Sequence, residues 1–449
     1  MNRKKRKIHL SSSQIIMTGF MLLIMTGAVL LMLPVSSQAG VWTPFADALF
    51  TSTSASCVTG LVVHDTATYW SPFGQLVIML LIQVGGMGVV TMAIAVFMAS
   101  GRKISLSQRR LMQDSISAQQ VGGIVRMTGF IIKVSLTAEL IGATVLSFVF
   151  VPEFGPTKGL WYAVFHSVSA FCNAGFDLMG VKGRFSSLTG YASNLTVNLT
   201  VVFLILFGGI GFSVWADISG NKLDFKKYRL QTKIVLVMTA LLVILPAVYF
   251  FAVEFSSPQW KNMTFSDRAI ASLFRAVTPR TAGFNTVDMS LFSEATVMIT
   301  IMLMLTGGCP GSTAGGMKTT TLAVLAANMI ATFRRQSSPV CFGRRIDDKT
   351  IKNAATIFMM YITLFMGGAV VISVIDGLPL LTSMFETASA VATVGLTLGI
   401  TPQLSYISRF ILICLMYLGR VGGLTIVFAT VKGVDSGSGR YPQEKITTG

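Results

Sequence analysis

The chain has 449 residues, of which 52% are hydrophobic and 12% charged, with a mean hydropathy of +0.69. A soluble domain carries about 25% charged residues, so the composition excludes a water-soluble protein of this length and points to a bilayer. Lys and Arg number 35 against 18 Asp and Glu, a net charge of +17, with five cysteines in no CxxC pair and three histidines out of helical reach of one another. Zinc and disulfide frameworks fall away on the second count, and nucleic-acid binding falls away once the charge surplus is seen to sort by loop.

A helix needs about 20 apolar residues to cross the hydrocarbon. Eight stretches supply them: 15–35, 73–99, 127–151, 195–217, 234–253, 296–330, 354–375 and 405–431. The first follows Arg3, Lys4, Lys5, Arg6 and Lys7 and ends near Ser36-Ser37-Gln38-Ala39, but its apolar part is too long for a signal peptide, so it is expected to stay as an uncleaved span. Basic residues number five at the N-terminus, five in 100–126, five in 218–233, six in 331–352 and three after Val431, which places 24 of the 35 on one side. The positive-inside rule makes that side, with both termini, cytoplasmic. Anionic lipid is a secondary partner for the same charges.

Between paired spans lie four segments too short to cross, all on the outer side. Each reads Phe, then Gly nine or ten positions on, then Leu or Phe: Phe50 to Gly60-Leu61, Phe165 to Gly175-Phe176, Phe274 to Gly283-Phe284, and Phe385 to Gly395-Leu396. The glycines recur at intervals of 115, 108 and 112 residues. A Gly-Gly pair follows in each inner span, at Gly85-Gly86, Gly208-Gly209, Gly307-Gly308 and Gly422-Gly423. The expected fold is an all-α membrane protein of four helix–pore loop–helix units, with 8 transmembrane helices and 4 re-entrant pore helices around one pseudo-fourfold pore. The units span 15–100, 124–218, 231–330 and 351–431, flanked by a basic segment 1–14 and a tail 432–449.

The segments Ala46 to Ser56, Gly159 to Phe171, Asp267 to Thr278 and Leu380 to Val391 are long enough for helices across half a bilayer. Entering from outside, they aim their C-terminal partial negative charges at mid-depth, where a cation is favoured. After them come Cys57-Val58-Thr59-Gly60, Cys172-Asn173-Ala174-Gly175, Arg280-Thr281-Ala282-Gly283 and Ala392-Thr393-Val394-Gly395. The side chains differ between units while the glycine does not, so the shared ligand is backbone carbonyl, and rings of such oxygens replace the hydration shell of an alkali cation.

Thr393-Val394-Gly395 looks like a potassium-channel filter, and the fourfold chain resembles the Trk/Ktr/HKT superfamily of potassium transporters over residues 15–431. Two further motifs carry the resemblance: Thr281-Ala282-Gly283-Phe284-Asn285-Thr286, and Gly307-Gly308-Cys309-Pro310-Gly311-Ser312-Thr313-Ala314-Gly315-Gly316. Eight spans without an extra N-terminal pair look most like the membrane subunit of a bacterial Ktr system. The resemblance implies potassium at the filter carbonyls, uptake driven by the membrane potential and often influenced by sodium, and a homodimer in the bacterial inner membrane. It also implies a cytoplasmic ring of RCK/KTN-type subunits that bind ATP/ADP or NAD(H); this chain itself has no P-loop and no Gly-rich turn after a strand, so no cofactor is expected in it. The second motif cannot continue a helix, so the sixth span is expected to break over 306–317, and family members are understood to gate with this element.

Ionisable residues within spans are functional candidates. Arg420 is expected to face the pore beneath the filter and oppose cations until the loop moves. Glu139 is open to a salt bridge with Lys133 or to a role as a lumen-facing ligand, the pair being favoured because outer helices do not line the axis. Arg280 is expected to brace the third loop against Asp288 or Glu294. Lys318 is placed near the inner mouth, and His64 and His166 are read as loop or packing residues. A secondary transporter with broken midplane helices would need inverted repeats, whereas all four segments face outward. An enzyme would need clustered acids, histidines or a nucleophile with its base, and the sequence offers none.

Overall fold

The computed structural model describes residues 11–99, 109, 111–113, 124–222, 224–422 and 425. Residues 1–10, most of the 100–123 connection, Gly423 and nearly all that follows it, including the expected tail 432–449, lie outside the described residues. The architecture is helical; the strands among the described residues form one small hairpin, Val340–Cys341 with Arg344–Arg345.

Four long outer helices, Ser12–Met32, Ile124–Phe154, Leu230–Tyr249 and Asp348–Asp376, each open a unit. A short π-helical segment, Phe250–Glu254, extends the third. Their most apolar windows have mean hydropathies of 1.9 to 2.7, yet only 22% to 39% of each window is buried within the protein. Leu22, Phe148, Leu245 and Val374 are among the exposed apolar residues. Such surface is stable only against lipid, which makes these helices the outer wall.

Behind each outer helix lies a short one: Phe45–Ser56, Pro156–Phe171, Phe265–Val277 and Leu380–Val391. Pro156 at the first helical turn moves the second start upstream of the expected Gly159, because proline fits where the amide has no helical partner. The aromatic anchors are buried in two large clusters, one holding Phe165 of the second unit with Phe274 of the third and the other Phe50 of the first with Phe385 of the fourth.

Four inner helices then return: Pro72–Met87, Leu195–Ile210, Glu294–Leu305 and Tyr406–Val421. Each begins with a side-chain cap, Ser71, Asn194, Ser293 or Ser405, that accepts the amide three residues on. Asn194, which opens a chance Asn-x-Thr sequence, thus has a structural task. The first two inner helices bend by 99° and 91° into Val89–Ala99 and Phe212–Asn221. The bends fall at Gly88 and Gly211, both with positive φ. The third inner helix stops at Leu305 and resumes as Thr319–Phe333, leaving residues 306–318 as non-helical chain at the level of those bends.

The glycine register of the fourth unit differs from the expected one. A Cβ on Gly85, Gly208 or Gly419 would lie 2.0, 1.9 or 2.1 Å from the carbonyl oxygen of Ser56, Phe171 or Val391, the last residue of the short helix in the same unit. The counterpart of Gly85-Gly86 in the fourth unit is therefore Gly419-Arg420, not Gly422-Gly423. Gly422, with φ 87°, matches the bend glycines Gly88 and Gly211. Arg420 stands where the first two units carry Gly86 and Gly209.

Candidate functional site

The four outer glycines meet around one axis. A Cβ on Gly60 would lie 2.4 Å from the Ala174 oxygen, one on Gly175 2.7 Å from the Ala282 oxygen, one on Gly283 2.5 Å from the Val394 oxygen, and one on Gly395 2.1 Å from the Thr59 oxygen. Each glycine abuts the carbonyl that precedes the next unit's glycine, and the fourth returns to the first. The contacts close a ring, and any side chain at these positions would break it.

Backbone conformation turns the carbonyls. Gly60, Gly175, Gly283 and Gly395 have φ of 95°, 69°, 77° and 91°. Two residues earlier, Val58, Asn173, Thr281 and Thr393 have φ of 58°, 59°, 62° and 53°. Positive φ alternating with negative φ along each segment turns successive carbonyls toward one side, as a conduit needs. Holding β-branched residues left-handed costs on the order of 1–3 kcal/mol each, so the surroundings must enforce it. Sequence reasoning anticipates the glycines and misses this second left-handed layer, since Val and Thr favour extended chain. Asn173, a residue that tolerates this region, was the one available signal.

Two cavities flank the ring. The outer one has the four glycines on its lining together with Asp65, Asp177, Asp288 and Asn285. The inner one is lined by Gly86, Met87, Gly311, Ser312, Lys318 and Arg420 among others. Acidic walls outside and basic groups inside set an electrostatic gradient along the axis.

The non-helical chain of the third unit lies under the ring. Gly307 N–H donates to Met317 O at 2.8 Å, Cys309 N–H to Gly209 O at 3.0 Å and Gly316 N–H to Gly419 O at 3.3 Å, while Phe212 N–H donates to Gly311 O at 2.9 Å. The Thr313 hydroxyl donates to Phe171 O at 3.1 Å and to the Asn173 side-chain oxygen at 3.0 Å, which joins the loop to the left-handed layer of the second unit. Arg420 donates to the Thr313 carbonyl, to the Gly85 carbonyl, and to Gly86 O at 2.8 Å. Lys318 Nζ donates to Ala314 O at 2.8 Å. A cationic side chain thus bolts the loop to the first inner helix directly below the glycine ring.

Other sequence-stated candidates land elsewhere. Arg280 is buried, but its Nη2 donates to Thr239 Oγ1 at 3.3 Å and reaches Cys309 Sγ at 3.9 Å, rather than Asp288 or Glu294. Asp288 caps a turn in the outer loop through Ser290, and Glu294 opens the third inner helix. Glu139 accepts from Gln83 Nε2 at 2.9 Å instead of pairing with Lys133, and Gln83 also accepts from Cys172 Sγ at 3.6 Å. A neutral amide on the adjacent inner helix satisfies the buried carboxyl without burying a second charge. His166 is held by Tyr162 O and by the amide of Leu178, a packing role. His64 Nε2 lies 3.0 Å from Asp47 Oδ2, whose other oxygen accepts from Arg409 Nη1 at 2.9 Å. This cluster joins the first and fourth units on the outer side, and sequence reasoning did not find it.

Comparison with known proteins identifies the family and the fold. The profile of the TrkH family, described as a cation transport protein, matches residues 2–439. The potassium/sodium uptake protein NtpJ of Enterococcus hirae is 41% identical, over 100% of this chain and 99% of its own length. The Ktr system potassium uptake protein B of Bacillus subtilis (strain 168) is 40% identical over 98% of each chain, and that of Vibrio alginolyticus 34% identical over 99% and 97%. The crystal structure of the potassium transporter TrkH from Vibrio parahaemolyticus matches with a TM-score of 0.74 at 19% identity, over 96% of this chain and 87% of that one, a likeness of fold. The chain belongs to the TrkH family of cation transport proteins, and is a multi-pass membrane transporter rather than an enzyme.

Proposed function

We propose that this protein takes up potassium across a bacterial inner membrane through backbone carbonyls of residues 57–60, 172–175, 281–283 and 392–395. The observation that carries the reading is the closed ring in which each glycine abuts the carbonyl preceding the next unit's glycine. Oxygens so arranged can stand in for the hydration shell of a monovalent cation, and four short helices direct their negative ends toward the same point. Inward movement follows the membrane potential, which supplies about 2.3 kcal/mol per charge per 100 mV. The chain over Gly307 to Gly316 is the gate and Arg420 its bolt: cations pass when the loop leaves the axis.

Relatives named as Ktr system and potassium/sodium uptake proteins support potassium as the cargo and sodium as an influence. The name Ktr system supports a partner subunit; a homodimer docked on a cytoplasmic nucleotide-binding ring, with the basic loops on the cytoplasmic side, completes the proposed assembly. Purified protein in liposomes tests the reading. Under an inside-negative potential it should carry potassium and rubidium well in excess of sodium, and Gly395→Ser should erase that preference. Equal sodium and potassium flux through the parent protein would remove the reading.

A further inference from the structure

A hydroxyl stands at the same place in each unit, four positions after the buried Phe: Ser54, Ser169 and Ser389 on their short helices, and Thr278 capping the end of the third. Each also accepts, through its own carbonyl, the amide of the residue before its unit's glycine, at 2.8, 2.7, 3.0 and 2.8 Å. The hydroxyls divide into two kinds. Ser54 Oγ accepts from Gly60 N–H and Ser389 Oγ from Gly395 N–H, both at 3.0 Å. Ser169 Oγ instead donates to Phe176 O at 2.7 Å, and Thr278 Oγ1 to Phe284 O at 2.6 Å.

The difference matters because the N–H and C=O of a trans peptide point in opposite directions. The amide held by Ser54 belongs to the same peptide plane as the Thr59 carbonyl, the oxygen nearest Gly395, and the amide held by Ser389 shares its plane with the Val394 carbonyl, nearest Gly283. Pulling each N–H toward the short helix aims the paired oxygen at the axis. Both serines are fully buried, so no water replaces the lost acceptor if the hydroxyl is removed.

We propose that Ser54 and Ser389 are selectivity-determining positioning residues: their hydroxyls latch the Thr59–Gly60 and Val394–Gly395 peptides so that two of the four ring carbonyls cannot turn away. The proposal rests on the filter reading above. Ser52 is the matched control, since its hydroxyl on the same short helix donates to Ile24 O of the outer helix at 2.6 Å.

The test compares Ser54→Ala, Ser389→Ala, Ser54→Thr, Ser52→Ala and Gly395→Ser in liposomes at matched protein amount, read as the ratio of sodium to rubidium flux. The account expects the ratio to rise about tenfold in each Ser→Ala variant of the latch, corresponding to an amide left without its partner. Ser54→Thr, which keeps the hydroxyl, and Ser52→Ala should stay within twofold of the parent. If one latch variant does not fold, the other carries the test. A parental ratio in a folded Ser54→Ala or Ser389→Ala, with Gly395→Ser altered, overturns the latch alone; a parental ratio in Gly395→Ser overturns the filter reading beneath it. An equal rise in Ser52→Ala also overturns the latch, because any buried hydroxyl on the helix would then serve.

Discussion

Arg420 joins the loop to the first inner helix with a single side chain, donating to Thr313 on one side and to Gly85 and Gly86 on the other. Hydrogen bonds from a charged donor are worth about 1.5–3 kcal/mol each, so losing them frees the loop and removes a positive charge from the path. Arg420→Ala should raise rubidium uptake by about tenfold, and Arg420→Lys should raise it less, because an ammonium keeps the charge but not the planar fork. Flux at the parental level in a folded Arg420→Ala protein would dismiss the gate role. The four outer glycines could be anticipated because only glycine tolerates both the close approach and the left-handed backbone. The partners of Arg280 and Glu139 could not. Thr239, Cys309 and Gln83 lie on other elements, tens of residues away, and their polarity is unremarkable in sequence.

The short helices could be read to within three residues, since apolar composition and the distance to the glycine bound them at both ends. The inner helices were harder. Three glycines crowd the fourth, at Gly419, Gly422 and Gly423, and sequence alone does not say which packs against the short helix; the Val391 carbonyl 2.1 Å from a would-be Cβ on Gly419 decides it. Between elements, Asp47 at the start of the first short helix ties the first unit to Arg409 of the fourth, 362 residues away, a spacing that no local pattern reveals. The hydrogen bond from His64 is the largest cause holding the Asp47 carboxyl below its ordinary value of 3.8, with Arg409 adding to it. A carboxyl depressed in the folded state stabilises above its unfolded value, and that contribution is lost as pH falls through the native one. Asp47→Asn should therefore destabilise the protein at neutral pH by about 1–3 kcal/mol, and its thermal-unfolding deficit should shrink once pH drops below 3.8. A deficit that is the same at all pH values would mean that the contact acts through shape and not charge.

At the scale of the molecule, four unequal units make one approximately fourfold centre. Outer helices face lipid, inner helices and short helices pack inward, and the third unit departs from the pattern by unwinding beneath the ring. That departure was legible as five glycines and a proline within ten residues of an apolar span. Convergence of the four glycine segments on one axis was legible from the repeat; which carbonyl each glycine abuts was not, because that depends on contacts between units more than 100 residues apart. Symmetry of backbone with asymmetry of side chains is what the proposed function uses: a common cation path with one specialised gate. Rubidium soaked into crystals of the protein and located by its anomalous signal tests this most directly. Density on the axis among Gly60, Gly175, Gly283 and Gly395, reduced by competing potassium but not by sodium, is the predicted result. Bound rubidium elsewhere with none among those glycines would contradict the account.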